Sequence, residues 1–306
     1  MASKESEAVR RHWAASRAAA EQADGELADR QPVDRELADD RWAELTAEPA
    51  DVDYLSVDGR PALWIVPHHA ADDRVLLCLH GGGFISGSRY SHRKMFGHLA
   101  RAVGARALVF DYPLAPEQVH PAPVDDATAT YRWLLDQGIE PAHIAFTGDS
   151  AGGGLAITTQ LRARSIGLPL PAAAMAISPW VDLEATGTSY DVNRDRDAFF
   201  DRDLVRGLTW VFLGPDGSAQ DPFASPLYGD LTGLGPIYIQ VGGDEVLLDD
   251  AHLLATAAEK AEVQVRLDVF PEMQHTFQMA AGRAPEADDA IRRMAGWVRP
   301  LLGLVD

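Results

Sequence analysis

The sequence predicts an α/β fold, with a central, mostly parallel sheet flanked by helices and covered by a helical cap. Three observations predict it. Short apolar runs alternate with helix-compatible runs from about residue 54 onward, the pattern of right-handed βαβ crossovers. The chain has 306 residues, enough to bury a large core within one domain. One segment, 180–224, breaks the alternation and is rich in Asp, Arg, Gly and aromatics, as an insertion between two core strands would be.

The elements follow in order. From about Glu5 to Thr46 the chain is rich in Ala, Arg and Glu at helical spacing. Pro32 interrupts it, so two helices are expected. Tyr54–Val57 and Ala62–Val66 read as a strand pair around an Asp58-Gly59 turn. Strands are then expected at Arg74–Leu79, Arg106–Phe110, His143–Thr147, Ala172–Ile177, Ile237–Val241 and Gln264–Val269. Helices are expected at Ser91–Val103, Val124–Leu135, Leu155–Arg164, Asp201–Leu213, Asp249–Ala261 and Glu286–Leu302, with Asp126 anchoring a helix start. The domain reading is a core formed by 51–179 and 225–306, with 1–50 and 180–224 making the cap.

Composition excludes several function classes. The net charge of −19 argues against nucleic acid and anionic membranes as partners. No run approaches transmembrane length and Met1–Glu7 has no apolar leader core, so neither a membrane span nor a signal peptide is expected. Cys78 is the single cysteine, which suits the cytoplasm; its apolar run marks it as buried filler. No Cys/His/Asp cluster has metal-ligand spacing, and Gly81–Gly83 lacks the G-x-G-x-x-G dinucleotide pattern. No cofactor is expected.

Two motifs carry chemistry. Gly148-Asp149-Ser150-Ala151-Gly152 is a G-x-S-x-G run between a strand run and a helix run, and His80-Gly81-Gly82-Gly83 follows an earlier strand. A serine on a tight strand-to-helix turn needs small neighbours, because its backbone is strained and closely approached. Ser150 would then sit at a helix N-terminus, which favours an anion. Serine is a weak nucleophile and needs a base held in one tautomer by a third group. His275, after the last strand, is the better placed downstream histidine; His252 falls within a helix. For the acid, Asp244 and Glu245 both follow the strand Ile237–Val241, and composition does not choose between them. Backbone amides of Gly81, Gly82 and Ala151 are expected to receive an oxyanion. His80 is expected to brace its loop, and Asp149 to orient the turn. Phe84 and Phe200 are the favoured pocket aromatics among Phe84, Trp180, Phe199, Phe200 and Trp210.

On these residues the chain resembles the hormone-sensitive-lipase family of α/β-hydrolases, the bacterial family IV esterases. The matching runs are His80–Phe84, Asp111-Tyr112-Pro113-Leu114-Ala115-Pro116-Glu117, Gly148–Gly153, Ser178-Pro179-Trp180-Val181-Asp182-Leu183 and the His275 turn. The resemblance spans about Tyr54 to Val298. It implies the α/β-hydrolase fold and a serine carboxylesterase acting on short- to medium-chain esters. In that family the acid is followed by x-Leu-x-Asp, which Glu245-Val246-Leu247-Leu248-Asp249 fits and Asp244 does not. The resemblance therefore implies Ser150, Glu245 and His275 as the triad. Glutamate departs from the usual aspartate and looks closest to the branch of monoterpene ε-lactone hydrolase-like proteins, so a lactone is the second expected substrate. Pro113 and Gln118 stand where the family usually has Arg and His. A non-catalytic binder of the same fold is the rival from another class; such relatives typically lack the histidine that this chain retains. A homodimer paired through the last strand is also expected, since an edge strand is an unpaired template.

Overall fold

The computed structural model describes residues 2–22 and 32–304. Eight strands form one sheet: β1 (Val52–Ser56), β2 (Ala62–Pro67), β3 (Ala71–Leu79), β4 (Ala105–Phe110), β5 (Ile144–Asp149), β6 (Ala173–Ile177), β7 (Ile237–Gly242) and β8 (Val265–Phe270). Their spatial order is β1-β2-β4-β3-β5-β6-β7-β8. The pairs β1/β2 and β2/β4 are antiparallel and every later pair is parallel. The β1–β2 turn contains Gly59 at φ 70, a left-handed position that glycine tolerates.

The central strands are buried on both faces, hence their near-continuous apolar runs. In β3, Val75, Leu77 and Leu79 pack to one side with α4 (Ala122–Asp136), α5 (Ala151–Ser165) and α8 (Leu248–Lys260). Leu76 and Cys78 pack to the other with α3 (Arg89–Val103) and α9 (Pro285–Leu301). This strict alternation fixes the register, because a slip of one residue would exchange the two cores. Each fully buried leucine contributes roughly 1.5–3 kcal/mol. Cys78 is fully buried, and burial, with Asp149 nearby, pushes its thiol up, so it is inert packing.

The N-terminal region forms α1 (Glu7–Gln22) and α2 (Pro32–Leu45). Pro32 opens the second helix, where its missing N–H costs nothing; residues 23–31 lie outside the described residues. Arg35 Nε donates to the Ile85 carbonyl at 2.7 Å, and its guanidinium also holds the Ala115 carbonyl and Glu117. Thr46 Oγ1 donates to the Met279 carbonyl. The 180–224 segment contributes α6 (Ser189–Val192) and α7 (Arg202–Leu213), the latter capped by Asp201 accepting from the Leu204 amide at 2.9 Å. Element ends differ from the sequence expectation by at most four residues, the largest difference being α5, which starts at Ala151 rather than Leu155. Asp126 is corrected: α4 starts at Ala122 after Pro121 with no side-chain cap. Asp126 lies inside the helix and lines a cavity of about 290 Å³ with Arg60 and Gln118.

Candidate active site

Every predicted site residue except Phe200 lies just beyond the carboxyl end of a strand, or in the loop it leads into. In an open α/β sheet this edge is where ligands bind. Ser150 joins β5 to α5 at φ 55, a strained left-handed turn. A Cβ on Gly148 would press into the Gly152 carbonyl, and one on Gly152 into the Leu79 and His80 carbonyls. Ser150 is buried, and its amide donates to the Ile177 carbonyl at 2.8 Å. That bond ties the turn to the end of β6.

The loop 80–84 is fixed from several sides. The amides of Ile85 and Ser86 both donate to the Gly82 carbonyl, at 3.1 and 3.0 Å. The His80 ring stacks on Tyr112 at 4.1 Å with Nδ1 2.8 Å from the Gly81 carbonyl, and the Tyr112 hydroxyl donates to the His80 carbonyl at 2.6 Å. Burial, with His92 nearby, pushes the His80 pKa down to about 3, so it braces the loop as a neutral ring.

One expectation is corrected here. The Gly81 amide donates to Asp149 Oδ1 at 3.0 Å, whose other oxygen lies 3.2 Å from His92 Nε2. That amide is therefore committed to Asp149 and is not open to an oxyanion. The amides of Gly82, Gly83 and Ala151 have no acceptor among the described residues. Gly82, Gly83 and Ala151 thus leave their amides open, and Gly81 does not. Asp149 binds the elbow to this loop, which the sequence suggested only in outline.

His275 and Glu245 meet as expected. His275 Nδ1 lies 2.6 Å from Glu245 Oε2, and both side chains are buried. Glu245 Oε1 accepts from the Ser178 hydroxyl at 2.8 Å and from the Gly242 amide at 2.6 Å. The same Ser178 oxygen accepts from the Thr276 amide at 3.2 Å. Ser178 follows Ile177, which accepts from Ser150, so one short chain of contacts links the loops of Ser150, Glu245 and His275. His275 Nε2 is buried with no hydrogen-bond partner among the described residues. Burial opposes charge on the imidazole, but Glu245, Asp197 and Asp149 outweigh it and raise the pKa above its ordinary value. Asp244, the rival acid, instead lies 3.9 Å from both Arg10 and Arg196.

Of the two favoured aromatics, Phe200 meets the His275 ring edge-on at 4.7 Å. Phe84 stacks on Phe212 of α7 at 3.8 Å. The sequence reading did not single out Trp13, Ser178 or Asp197. The Trp13 indole donates to the His275 carbonyl at 2.8 Å and its ring stacks on Phe199 at 5.2 Å. Ser178 opens one of the family-matching runs, but its partners and those of Trp13 lie more than 60 positions away in sequence, so no local pattern shows what they touch.

Residues 76–279 match the family model described as alpha/beta hydrolase fold. An acetyl-hydrolase from Streptomyces hygroscopicus is 42% identical over 267 residues, covering 87% of this chain and 88% of that protein. An esterase from Acinetobacter venetianus is 35% identical over 232 residues, covering 76% of this chain and 77% of that one. The solved structure of an esterase from the bacterial hormone-sensitive lipase family has 43% identity and a TM-score of 0.90, covering 99% of this chain and 100% of that one. The chain belongs to the hormone-sensitive-lipase family of α/β hydrolases. It is a serine ester hydrolase of the carboxylesterase type. Among the described residues no helix is long and apolar enough to cross a membrane.

Proposed function

We propose that the chain cleaves short- to medium-chain carboxylic esters through an acyl-enzyme formed on Ser150. The observation that carries this is the 2.6 Å contact of His275 Nδ1 with Glu245, which leaves Nε2 open to a proton. Ser150 Oγ adds to the ester carbonyl carbon while its proton passes to His275 Nε2. The carbonyl oxygen becomes an anion, received by the amides of Gly82, Gly83 and Ala151 and by the N-terminus of α5. The intermediate collapses with loss of the alcohol, which takes the proton from His275. Water then repeats the sequence and releases the acid. Glu245 holds the imidazole in the tautomer that presents a bare Nε2 and stabilises the imidazolium.

The acetyl-hydrolase name of the Streptomyces relative supports a short acyl group. The run Glu245-Val246-Leu247-Leu248 supports lactones, cyclic esters open to the same attack, as the second substrate class. The cytoplasm is the compartment we propose, on the single buried cysteine. Pairing of two copies along the edge strand β8 is the assembly we propose, and light scattering at micromolar concentration reads it.

A panel of p-nitrophenyl esters and lactones on purified protein tests the substrate reading. Turnover is expected to be highest on the short acyl esters. Ser150→Ala is expected to cost roughly six powers of ten in kcat with the fold intact. Near-wild-type turnover by this variant, free of contaminating esterase, refutes the mechanism.

A further inference from the structure

The segment Asn193–Phe200, between α6 and α7, touches both loops that carry the side chains of the proposed mechanism. Asn193 Nδ2 donates to the carbonyls of Gly243 and Glu245, at 3.0 and 2.9 Å. Asp197 Oδ2 accepts from the Val246 amide, the residue after Glu245, at 2.9 Å. Asp197 Oδ1 accepts from the amides of Phe199 and Phe200, at 2.9 and 2.8 Å. Gln274, the residue before His275, closes the other side. Its Oε1 accepts from the Ala198 amide at 2.9 Å and its Nε2 donates to the Arg196 carbonyl at 3.1 Å. The Phe200 ring then rests edge-on against the His275 imidazole.

Asp197 is buried, with 5% of its surface exposed, and no ion pair joins it to a Lys or Arg among the described residues. A buried carboxylate without a cation is costly unless donors surround it. Here three amides do so, and the nearby positive charge is His275 itself when it carries the serine proton. Burial opposes that charge and raises the pKa of Asp197, while the three amides and His275 favour the carboxylate.

We propose that Asp197 is a positioning residue for ester hydrolysis, holding Glu245 and the Phe200 ring in register with His275 through its three amide hydrogen bonds. The proposal rests on the reading of His275 as the general base. One carboxylate oxygen sets the loop of the acid and the other sets the pocket wall. The groups that face His275 with charge are Glu245 from the loop after β7, Asp149 from the end of β5, and Asp197; α1 brings the uncharged Trp13.

The test is kcat and KM on p-nitrophenyl acetate from about pH 5 to 9, with functional sites counted by a fluorophosphonate that labels the serine. Asp197→Asn turns one acceptor into a donor facing an amide and removes the charge. Its kcat per labelled site is expected to fall about tenfold to a hundredfold, with KM changed less. The acid limb of kcat/KM is expected to move to lower pH, because one anion that stabilised the imidazolium is gone. Asp197→Glu keeps the charge but displaces it, so kcat is expected to fall while the limb stays. An unchanged kcat per site or an unmoved limb in Asp197→Asn overturns the proposal. If that variant does not fold, wild-type kcat in Asp197→Glu overturns it instead. A wild-type protein that the fluorophosphonate does not label at Ser150 refutes the hydrolytic reading, and this proposal with it.

Discussion

The loops at His80–Phe84 and Gly148–Gly152 position backbone amides, whereas the loops at Glu245 and His275 position side chains. The first pair is held by close approach. Glycines allow carbonyls of neighbouring loops to sit where a Cβ would be, and the left-handed values at Gly82 (φ 121) and Ser150 (φ 55) set the turns. The second pair is held by buried polar contacts. Ser178, the Gly242 amide, Asp197, Asn193, Gln274 and Trp13 all reach Glu245, His275 or their neighbours. Backbone rigidity is encoded locally, residue by residue. A polar network is assembled from segments far apart in sequence, so its failure should be graded where the glycine turns fail outright.

The largest expected effect is therefore on the glycine side. Gly152→Ala places a methyl against the Leu79 and His80 carbonyl oxygens, and the three nearest atoms are all backbone rather than the end of a flexible side chain. Soluble yield and ester turnover are both expected to collapse, in contrast to Ser150→Ala, which should fold. A folded, active Gly152→Ala would show that the turn relaxes and would remove the contrast.

The next effect falls on the acid. Glu245→Gln keeps the shape but presents the wrong hydrogen-bond partner to His275 Nδ1, and kcat is expected to drop by about three to four powers of ten. Asp244→Asn should be mild, since its contacts with Arg10 and Arg196 are long, at 3.9 Å, and such partly exposed pairs are worth little. Steady-state kinetics on one p-nitrophenyl ester compare the two. Equal losses would mean that both carboxylates serve the imidazole.

How much of this was legible follows the same division. The elbow and the HGGG loop were visible as runs of adjacent residues, and the strands as apolar runs. The choice of Glu245 needed the family spacing; in the structure its side chain reaches His275 Nδ1 while its other oxygen finds Ser178 and Gly242. The assignment of Gly81 failed for a physical reason. Which of three adjacent glycine amides is free depends on where the Asp149 carboxylate lies, and that is decided across the β3–β5 pairing.

The smallest effect concerns stability where α8 meets the 180–224 segment. Asp250 is fully buried and accepts from the amides of Val181 and Asp182, both at 2.9 Å, and from the Tyr190 hydroxyl at 3.3 Å. Burial, aided by Asp182, pushes its pKa from the ordinary 3.8 up to about 8. The folded chain thus holds a proton that the unfolded chain releases, and this contribution is full below pH 3.8 and lost as pH rises toward 8. Asp250→Asn keeps an acceptor for both amides, and the tyrosine hydroxyl can turn to accept from the new amide. Its Tm is expected to fall less than that of the wild type as pH rises across this window, by a few degrees. Parallel curves for the two proteins would place the titration elsewhere.

The amino-acid order alone settled the α/β class, the sequence of strands and helices, and the turns at Gly148–Gly152 and Gly81–Gly83, because hydrophobic period and glycine placement act within a few residues. Tertiary structure alone decided which amides stay open, which oxygen of Glu245 meets His275, and how the segment before α7 clasps the acid and base loops. Those outcomes depend on distances between parts of the chain that only the packed sheet brings together.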